Sequence, residues 1–320
     1  MKDFTGKLAV ITGGGDGMGR ELARQLAAQG CSVAICDVSR PAMAETLALI
    51  EADGPPQGVR ATAHRVDVSD EAELVRFRDE VAAQHDTDRL HLLFNNAGIG
   101  AGGSLFTDSR EAWDRTFNVC WGGVYLGVRT FLPMLQAADE AHIVNTSSIN
   151  GVWGSLGPNV PHTAYVAAKF AVRGFTEALI TDLRVNAPHI RCSVAMPGHV
   201  GTPIMGNTRK VLSGREDATP DLATARARVA RMGRDPDQFT HEELLAMIAE
   251  QQRRFVEDAP TSAAEAAALI LEGVKAERWR ILVGEDAHGI DRLVREDPEA
   301  AYDPSFFEKL RQVTGWRLGR

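Results

Sequence analysis

Tyr165 and Lys169 stand four residues apart within a long apolar-periodic stretch. Residues four apart on a helix are neighbours on one face, so this phenol and this ammonium group can lie side by side. A tyrosine normally loses its proton near pH ~10, and a fixed neighbouring cation favours the phenolate and lowers that pKa towards neutrality. Such a pair could shuttle protons at cellular pH. The same spacing also fits a solvated helix edge, so the surrounding elements must decide between the two interpretations.

A glycine-rich turn precedes the first predicted helix. An apolar strand pattern covers residues 7–12, the turn at 13–19 contains five glycines, and a helical pattern follows over 20–29. Strand, turn and helix come in the order that a dinucleotide site requires. Glycine allows a positive φ and the close approach of a pyrophosphate, and the free N–H groups at a helix start favour an anion. The turn therefore indicates a nucleotide cofactor.

Asp37 ends the next predicted strand, residues 32–37, and follows the turn by roughly twenty residues. A carboxylate at this place accepts hydrogen bonds from the adenosine ribose hydroxyls and opposes a 2′-phosphate. Asp16 within the turn adds a second negative charge, which Arg40 offsets only in part. These residues predict NAD as the cofactor, with NADP as the less favoured alternative.

Helical and strand patterns continue to alternate along the chain, at 41–52, 59–66, 71–84, 90–94, 110–136, 142–146 and 190–195. This alternation predicts a parallel sheet with helices on both faces. Right-handed crossovers place the carboxyl end of every strand at one edge, where ligands bind. The chemistry of the protein is therefore expected at that edge.

Polar residues follow several of these strands. The turn at 95–98 reads NNAG, Ser147 and Ser148 follow the strand at 142–146, and Thr202 lies just beyond the turn at 197–198. A serine at a strand end could hydrogen-bond a substrate oxygen, although serines there are usually turn residues. All of these side chains are expected at the ligand edge.

Asn118, Gly122 and Gly123 lie inside the predicted helix at 110–136. Asparagine and glycine disfavour a helix interior, so their place in a long helix needs a local reason. A broken turn that frees a carbonyl for bound water would be such a reason.

The alternation stops after residue 203. Two helical stretches, 218–232 and 241–256, fall in the segment 204–260, which is predicted to be an inserted helical cap over the substrate. A further helix and strand then resume the sheet, and residues 287–320 form a C-terminal tail. Because no repeat or composition break marks a second domain, residues 1–286 are predicted to be one catalytic domain.

Composition limits the kinds of partner. The 320 residues carry a net charge of -8, which argues against a surface that neutralises nucleic acid phosphates. The start has no signal-peptide core, and no stretch is apolar enough to span a bilayer. A cytoplasmic protein that does not bind a membrane is therefore expected. The four cysteines lack the paired spacing of a zinc site and are expected to be buried, reduced thiols. No metal site is predicted.

The combined motifs are, in chain order, Thr12-Gly13 with Gly17 and Gly19, Asp37, Asp67-Val68, Asn95-Asn96-Ala97-Gly98, Asn118, Ser148, Tyr165, Lys169 and Pro197-Gly198. This set closely resembles the short-chain dehydrogenase/reductase family over about residues 4–205, and more loosely over 262–287. The resemblance implies a Rossmann-type, doubly wound sheet of seven parallel strands with helices on both faces. It also implies hydride transfer between a nicotinamide and an alcohol or carbonyl carbon, without a metal.

The resemblance further implies roles for single residues. Tyr165 would be the general acid/base, and Lys169 would lower its pKa and bind the nicotinamide ribose. Ser148 would hold the substrate oxygen, and Asn118 would fix a water leading to Lys169. The residues implied in cofactor binding, besides Tyr165 and Lys169, are Gly13, Asp16, Gly17, Met18, Gly19, Asp37, Asp67, Val68, Asn95, Ala97, Gly98, Pro197, Gly198, Val200 and Thr202. Family members also suggest a homodimer or homotetramer built on helices such as the one bearing Tyr165.

The spacing from Ser148 to Tyr165 is a few residues longer than is usual in the family. That reshapes the substrate mouth and keeps Ser147 open as an alternative to Ser148. Apolar residues near the mouth predict a fairly hydrophobic secondary alcohol or ketone as the substrate. These residues are Val152, Trp153, Leu156, Ile204 and Met205.

Two other functions compete with an NAD-dependent alcohol dehydrogenase. Sugar-nucleotide epimerases and dehydratases share the tyrosine and lysine pair, but they resemble a longer type of relative with a different glycine spacing. The three residues between Gly13 and Gly17 favour the shorter type. A catalytically silent NAD-binding regulator of the same fold is the non-enzyme alternative, and the four filled catalytic positions argue against it.

Overall fold

The structure is a computed structural model that describes residues 1–157, 160–215, 219–316 and 318. The strands in this part of the chain are β1 (Leu8–Thr12), β2 (Ser32–Asp37), β3 (Ala61–Arg65), β4 (Leu92–Asn95), β5 (Ala141–Thr146), β6 (Ile190–Pro197), β7 (Val200–Gly201), β8 (Thr261–Ser262) and β9 (Arg280–Val283). Seven of them form one parallel sheet in the order β3-β2-β1-β4-β5-β6-β9, while β7 pairs with β8. The predicted Rossmann-type, doubly wound, seven-stranded α/β fold is therefore confirmed.

The α-helices lie mainly between the strands. They are α1 (Gly17–Ala28), α2 (Arg40–Ala52), α3 (Glu71–His85), α4 (Arg110–Phe117), α5 (Gly123–Ala137), α6 (Thr163–Asn186), α7 (Ile204–Ser213), α8 (Leu222–Arg231), α9 (His241–Glu257), α10 (Ala263–Lys275), α11 (Glu285–Glu296) and α12 (Pro304–Thr314). Within the described residues, no helix is both long and apolar enough to cross a membrane.

Two hydrophobic clusters cover the two faces of the sheet. Leu92 and its neighbour Leu93 on β4 belong to different clusters, because successive side chains of a strand point to opposite faces. Leu26 of α1 packs on the first face and Phe131 of α5 on the second, and all four side chains are fully buried. A strand covered on both faces must be apolar throughout, which explains the continuous apolar patterns in the sequence.

A π-helical turn over Asn118–Gly122 separates α4 from α5. The predicted break in this helix is therefore present. The Asn118 carbonyl is not unpaired, however, because it accepts the N–H of Gly123, five residues further on. A carbonyl freed elsewhere in this turn stays a prediction, since at Asn118 the turn widens and keeps its hydrogen bond.

In its described residues, the segment between β7 and β8 holds three α-helices rather than the two that the sequence predicts. The unpredicted helix is α7, while α8 begins at Leu222 and α9 ends at Glu257. The predicted start of α8 at residue 218 lies outside the described residues. Four buried side chains, Ala225 and Val229 of α8 with Leu244 and Ile248 of α9, form a small core of their own.

The C-terminal tail packs on the loop that joins strand β5 to helix α6. Trp153 of that loop is fully buried among the side chains of Phe306, Phe307 and Trp316. Its indole Nε1 donates a hydrogen bond of 2.8 Å to the carbonyl of Ala301. The placement of Trp153 at the substrate mouth was therefore wrong, because the tail covers it completely.

Candidate active site

Helix α6 carries Tyr165 and Lys169 on neighbouring turns. Lys169 is 2% exposed, and its Nζ lies 5.2 Å from the centroid of the Tyr165 ring. The same Nζ donates a hydrogen bond of 2.8 Å to the carbonyl of Thr146, at the carboxyl end of β5. The apolar face of α6, which includes Ala168 and Val172, is fully buried and fixes the helix against the sheet. The predicted phenol and ammonium pair is thus brought together at the ligand edge.

The pKa of Tyr165 is set first by burial, which raises it well above its usual value. The thiol of Cys120 raises that pKa further, while a hydrogen bond with Ser148 lowers it. Burial also lowers the pKa of Lys169, because a low-dielectric surrounding disfavours the ammonium form. Without a bound nicotinamide, burial therefore outweighs the hydrogen bond with Ser148, and a Tyr165 pKa lowered towards neutrality by Lys169 and the cofactor stays a prediction.

The two serines after β5 have different partners. The Ser147 hydroxyl donates to the carbonyl of Lys169 at 2.7 Å and ties the strand end to α6. The Ser148 hydroxyl donates to the carbonyl of Pro197 at a long 3.4 Å and accepts the N–H of Asn150 at 3.1 Å. Because Ser148 also contacts Tyr165, it is the serine that the geometry favours for the substrate oxygen.

Asn118 lies in the π turn that precedes α5, and its side chain is exposed. Among the described residues, its amide makes no hydrogen bond with the buried Lys169, whose Nζ donates to Thr146. A role in fixing water towards Lys169 stays a prediction and would have to use the backbone of the turn.

The glycine-rich turn lies directly on the neighbouring strand end. Gly13 has φ +67°, and a Cβ there would lie 2.9 Å from the Cα of Ala97. Asp16 caps α1 by accepting the N–H of Gly17 at 2.8 Å. Its other carboxylate oxygen accepts a hydrogen bond of 3.3 Å from the side-chain amide of Asn207 on α7. The segment after β7 therefore reaches the turn itself.

Asp37 lies at the end of β2, beside the same turn. Its carboxylate accepts the N–H groups of Gly15 at 3.2 Å and Ser39 at 3.1 Å. Burial raises the pKa of Asp37, and these backbone hydrogen bonds act in the opposite direction. The carboxylate is thus held at the place where an adenosine ribose would meet it.

Asp67, after β3, is paired with Arg115 of α4. The guanidinium donates to the two carboxylate oxygens at 2.7 and 3.1 Å, and Ser69 donates to one of them through its hydroxyl at 2.7 Å. Burial raises the pKa of Asp67, but these hydrogen bonds outweigh burial and the pKa is lowered. Asp67 is therefore ionised and fixed next to Val68.

One cleft of about 460 Å³ connects these strand ends. Ten of the predicted cofactor residues line it, namely Gly13, Asp16, Gly17, Met18, Asp37, Asp67, Val68, Ala97, Gly98 and Thr202. The cleft reaches Lys169 through Gly98, where a Cβ would lie 3.7 Å from the Nζ. An elongated dinucleotide fits such a cleft, because a glycine cradle and the start of α1 lie at one end and a proton-transfer pair lies at the other.

Seven predicted cofactor residues do not line this cleft, namely Gly19, Asn95, Tyr165, Lys169, Pro197, Gly198 and Val200. Gly19 instead allows α1 to touch the carbonyl of Gly13. The Asn95 side chain is buried and donates to Asn145 at 2.9 Å. Gly198 leaves room for the carboxylate of Asp286, which accepts the N–H of His199 at 2.6 Å. Gly19, Asn95 and Gly198 thus pack against neighbouring strand ends, and the cofactor-binding roles of all seven residues stay predictions.

Other residues of the cleft were missed by the sequence analysis. Asn96 follows Asn95, and its side chain donates to the carbonyl of Thr12 at 3.1 Å. Arg115 holds Asp67, and Asn207 contacts Asp16. The NNAG turn gave a signal for Asn96. No sequence signal pointed to Arg115 or Asn207, because their partners are distant in the chain.

A Rossmann-type sheet whose cleft joins a glycine-rich turn to a tyrosine and lysine pair defines a class of nicotinamide-dependent oxidoreductases. A family model described as short chain dehydrogenase matches residues 7–212. The chain is 32% identical over 295 residues to the putative oxidoreductase SadH of Mycobacterium tuberculosis, which covers 92% of each protein. It belongs to the short-chain dehydrogenase/reductase family.

Two further relatives are informative. Cyclopentanol dehydrogenase of Comamonas sp. is 35% identical over 213 residues, which covers 66% of this chain and 79% of that protein. The crystal structure of a short-chain dehydrogenase/reductase from Burkholderia phymatum, in complex with NAD, has a TM-score of 0.76 and 32% sequence identity. The match covers 95% of this chain and 98% of the Burkholderia chain. Solved family members include complexes with NAD and with NADP.

Proposed function

We propose that this chain is an NAD-dependent dehydrogenase that transfers hydride between the nicotinamide and a secondary alcohol or ketone. The observation that carries the proposal is the meeting of Tyr165, Lys169 and Ser148 at the end of the cleft that begins at the glycine-rich turn. A phenol in hydrogen-bond contact with a serine hydroxyl can pass a proton to or from an oxygen held between them.

Each side chain then has a defined task. When bound, NAD supplies the hydride acceptor and a positive charge near Tyr165. In alcohol oxidation Tyr165, as the phenolate, would take the proton of the alcohol at its oxygen and become the neutral phenol. Ser148 gives up its long hydrogen bond to Pro197 and donates to the substrate oxygen. Lys169, anchored on Thr146, favours the phenolate and binds the nicotinamide ribose.

Asp37 supports NAD rather than NADP. Its carboxylate is fixed by Gly15 and Ser39 at the end of β2, so a 2′-phosphate would approach a negative charge that cannot turn away. Asp16 lies in the same cleft and adds to the repulsion. Arg40 at the start of α2, and Arg65, which lines the cleft beside Asp37, are cations that would favour NADP.

A fairly hydrophobic substrate is supported by the side chains around the mouth. Ile204 and Met205 are half-buried and apolar, and Ile204 lines the cleft, whereas Val152 and Leu156 pack against the tail cluster that contains Trp153. The relative from Comamonas acts, by its name, on a cyclic secondary alcohol. A substrate of this kind would be covered by the inserted segment 204–260.

The assembly and organisation of the chain are part of the same proposal. Residues 1–286 form the catalytic domain and 287–320 an extension. Tyr125 of α5 and Phe170 of α6 are 40% and 41% exposed and provide an aromatic face for a homodimer or homotetramer. A cytoplasmic location stays a prediction.

The proposal is tested by following NADH formation across aryl, steroid, terpene and aliphatic secondary alcohols. We expect turnover with at least one of them, and a fall in kcat of about 10²-fold or more in Tyr165→Phe. Calorimetric NAD binding by Tyr165→Phe should stay within a few-fold of wild type. In Asp37→Ala the ratio of kcat/KM with NAD to that with NADP should fall.

Several results would contradict the proposal. Wild-type kcat in Tyr165→Phe would show that Tyr165 is not the acid/base. An unchanged ratio of kcat/KM with NAD to that with NADP in Asp37→Ala would show that Asp37 does not select the cofactor. NAD binding without turnover on any alcohol or ketone would favour the silent regulator instead.

A further inference from the structure

His162 lies three residues before Tyr165, where α6 begins. Its imidazole ring stacks on the phenol ring, with the centroids 4.6 Å apart and the planes inclined by 27°. Lys169 Nζ and the Ser148 hydroxyl contact the same phenol. The ring of Tyr165 is therefore placed by three side chains, of which only His162 contacts it ring to ring.

His162 occupies the N-cap position of α6 without capping the helix. Serine, threonine, aspartate and asparagine are preferred at this position, because their side chains accept a backbone N–H, and losing such a cap costs about 1 kcal/mol. Ser39, Asp70 and Ser109 make this hydrogen bond at the starts of α2, α3 and α4. The 24-residue helix that carries the acid/base has no side-chain cap. A local rule broken beside a reactive group indicates a functional use of the side chain.

The contact between His162 and Tyr165 is aromatic rather than ionic. Burial lowers the pKa of His162 to about 4, so the imidazole is neutral at physiological pH. Among the described residues, its ring nitrogens have no hydrogen-bond partner. A neutral ring laid on the phenol excludes water from one face of it and keeps the phenol in a single orientation.

We propose that His162 is a positioning residue, whose ring holds the Tyr165 phenol towards Ser148 and shields it from water. The inference rests on the proposed acid/base function of Tyr165. It deepens that function because it assigns the orientation of the phenol to His162. This residue belongs neither to the tyrosine and lysine motif nor to the lining of the cofactor cleft.

Two substitutions separate the ring from the other properties of His162. His162→Ser removes the ring and supplies a preferred N-cap residue. His162→Phe keeps a flat ring and removes both nitrogens. His288→Ser, at an exposed position of α11, is the matched control for losing an imidazole.

With a substrate in hand, we expect His162→Ser to lower kcat by about 10- to 100-fold, since small misplacement of a reactive group is costly. Its melting temperature should be unchanged or higher, because the helix gains a cap. His162→Phe should recover most of the lost kcat. In His162→Ser the rising limb of the pH profile for alcohol oxidation should move to lower pH, because water then reaches the phenol and favours its ionisation. In His162→Phe the rising limb should stay at the wild-type pH.

Ionisation of Tyr165 can also be measured without any turnover. Ultraviolet titration of tyrosinate, taken as the difference between each protein and the same protein carrying Tyr165→Phe, isolates this phenol from Tyr125 and Tyr302. The phenol should ionise at lower pH in His162→Ser than in wild type or His162→Phe. This readout holds even if no alcohol is turned over, so failure of the proposed function is distinguished from failure of the inference.

Two outcomes would overturn the inference. Wild-type kcat and titration in His162→Ser would show that the ring is not required. An equal loss of kcat in His162→Phe and His162→Ser would show that the imidazole nitrogens act, rather than the ring.

Discussion

Ser147 and Ser148 leave β5 side by side and end in different surroundings. Ser147 donates to the backbone of α6, whereas Ser148 donates only a long hydrogen bond to Pro197, accepts the N–H of Asn150 and touches Tyr165. Successive side chains of an extended strand point to opposite sides, so one serine is turned to the scaffold and the other to the reaction. A single-residue shift would exchange their roles.

We therefore expect the two alanine variants to separate catalysis from stability. Ser148→Ala should lower kcat by about 10²-fold, the scale seen when a donor to a reacting oxygen is removed, with little change in the free energy of unfolding. Ser147→Ala should lower the free energy of unfolding by about 1 kcal/mol, because the buried carbonyl of Lys169 loses its donor. Steady-state kinetics and urea unfolding of both variants measure this. Equal kinetic losses would contradict the division.

The sequence favoured Ser148 but left Ser147 open as an alternative. Whether Ser147 or Ser148 faces α6 depends on the distance between this helix and β5. Packing sets that distance. The same limit applies to Asp67, whose ionisation depends on Arg115, 48 residues further along the chain.

The approach of α5 to β4 shows how an element restricts its own sequence. Asn95 at the end of β4 is buried, and a Cβ at Gly127 of α5 would collide with its side-chain oxygen. Asn95 in turn donates to Asn145, which donates to Thr176 of α6 at 3.0 Å. This buried chain of hydrogen bonds joins two strands and a helix behind the cofactor cleft.

Gly127→Ala should destabilise the protein by about 1–3 kcal/mol, the usual cost of overpacking a filled core. Gly174→Ala is the matched control on α6, because nothing lies within 4 Å of its added methyl group. There, replacement of a helical glycine should stabilise by about 0.5–1 kcal/mol. Urea unfolding of both variants measures the difference. A tolerated Gly127→Ala would show that α5 can move away from β4.

At the scale of elements, the continuous apolar patterns were sufficient to predict every strand of the main sheet in the described residues. Helix α7 was missed because Gly206 and Asn207 interrupt its helical pattern, while contacts with the rest of the chain stabilise it. Asn95 was predicted to line the cofactor cleft because a strand end marks the correct edge of the sheet. The pattern does not tell which side of that edge a side chain takes.

Across the whole molecule, burial lowers the pKa of four histidines, His85, His91, His142 and His162, and the effect is large for three of them. Burial lowers the pKa of His142 to about 3, and those of His85 and His162 to about 4. Unfolding exposes all three to water, where each takes up a proton near its ordinary pKa of ~6.5. Acid therefore favours the unfolded chain well before the carboxylates are protonated.

The free energy of unfolding should be constant above pH ~6.5 and fall between that value and pH ~4. The sign follows from the lowered pKa values, because the folded state binds fewer protons than the unfolded chain. Each histidine contributes a slope of up to about 1.4 kcal/mol per pH unit. Urea unfolding at a series of pH values measures the slope, and His142→Asn should reduce it by up to one third. A flat profile down to pH 4 would contradict the expectation.

Trp153 joins the loop beside the catalytic serine to the last helix of the chain. The Phe306, Phe307 and Trp316 side chains that surround it are themselves mostly buried by this contact. Exchanging loops between relatives is a direct way to change the selectivity of an enzyme. In this protein the loop at 149–157 cannot be grafted alone, because an incoming loop without the indole would leave a cavity lined by three aromatic side chains. Loop and tail form one transferable unit, and a chimaera must exchange them together.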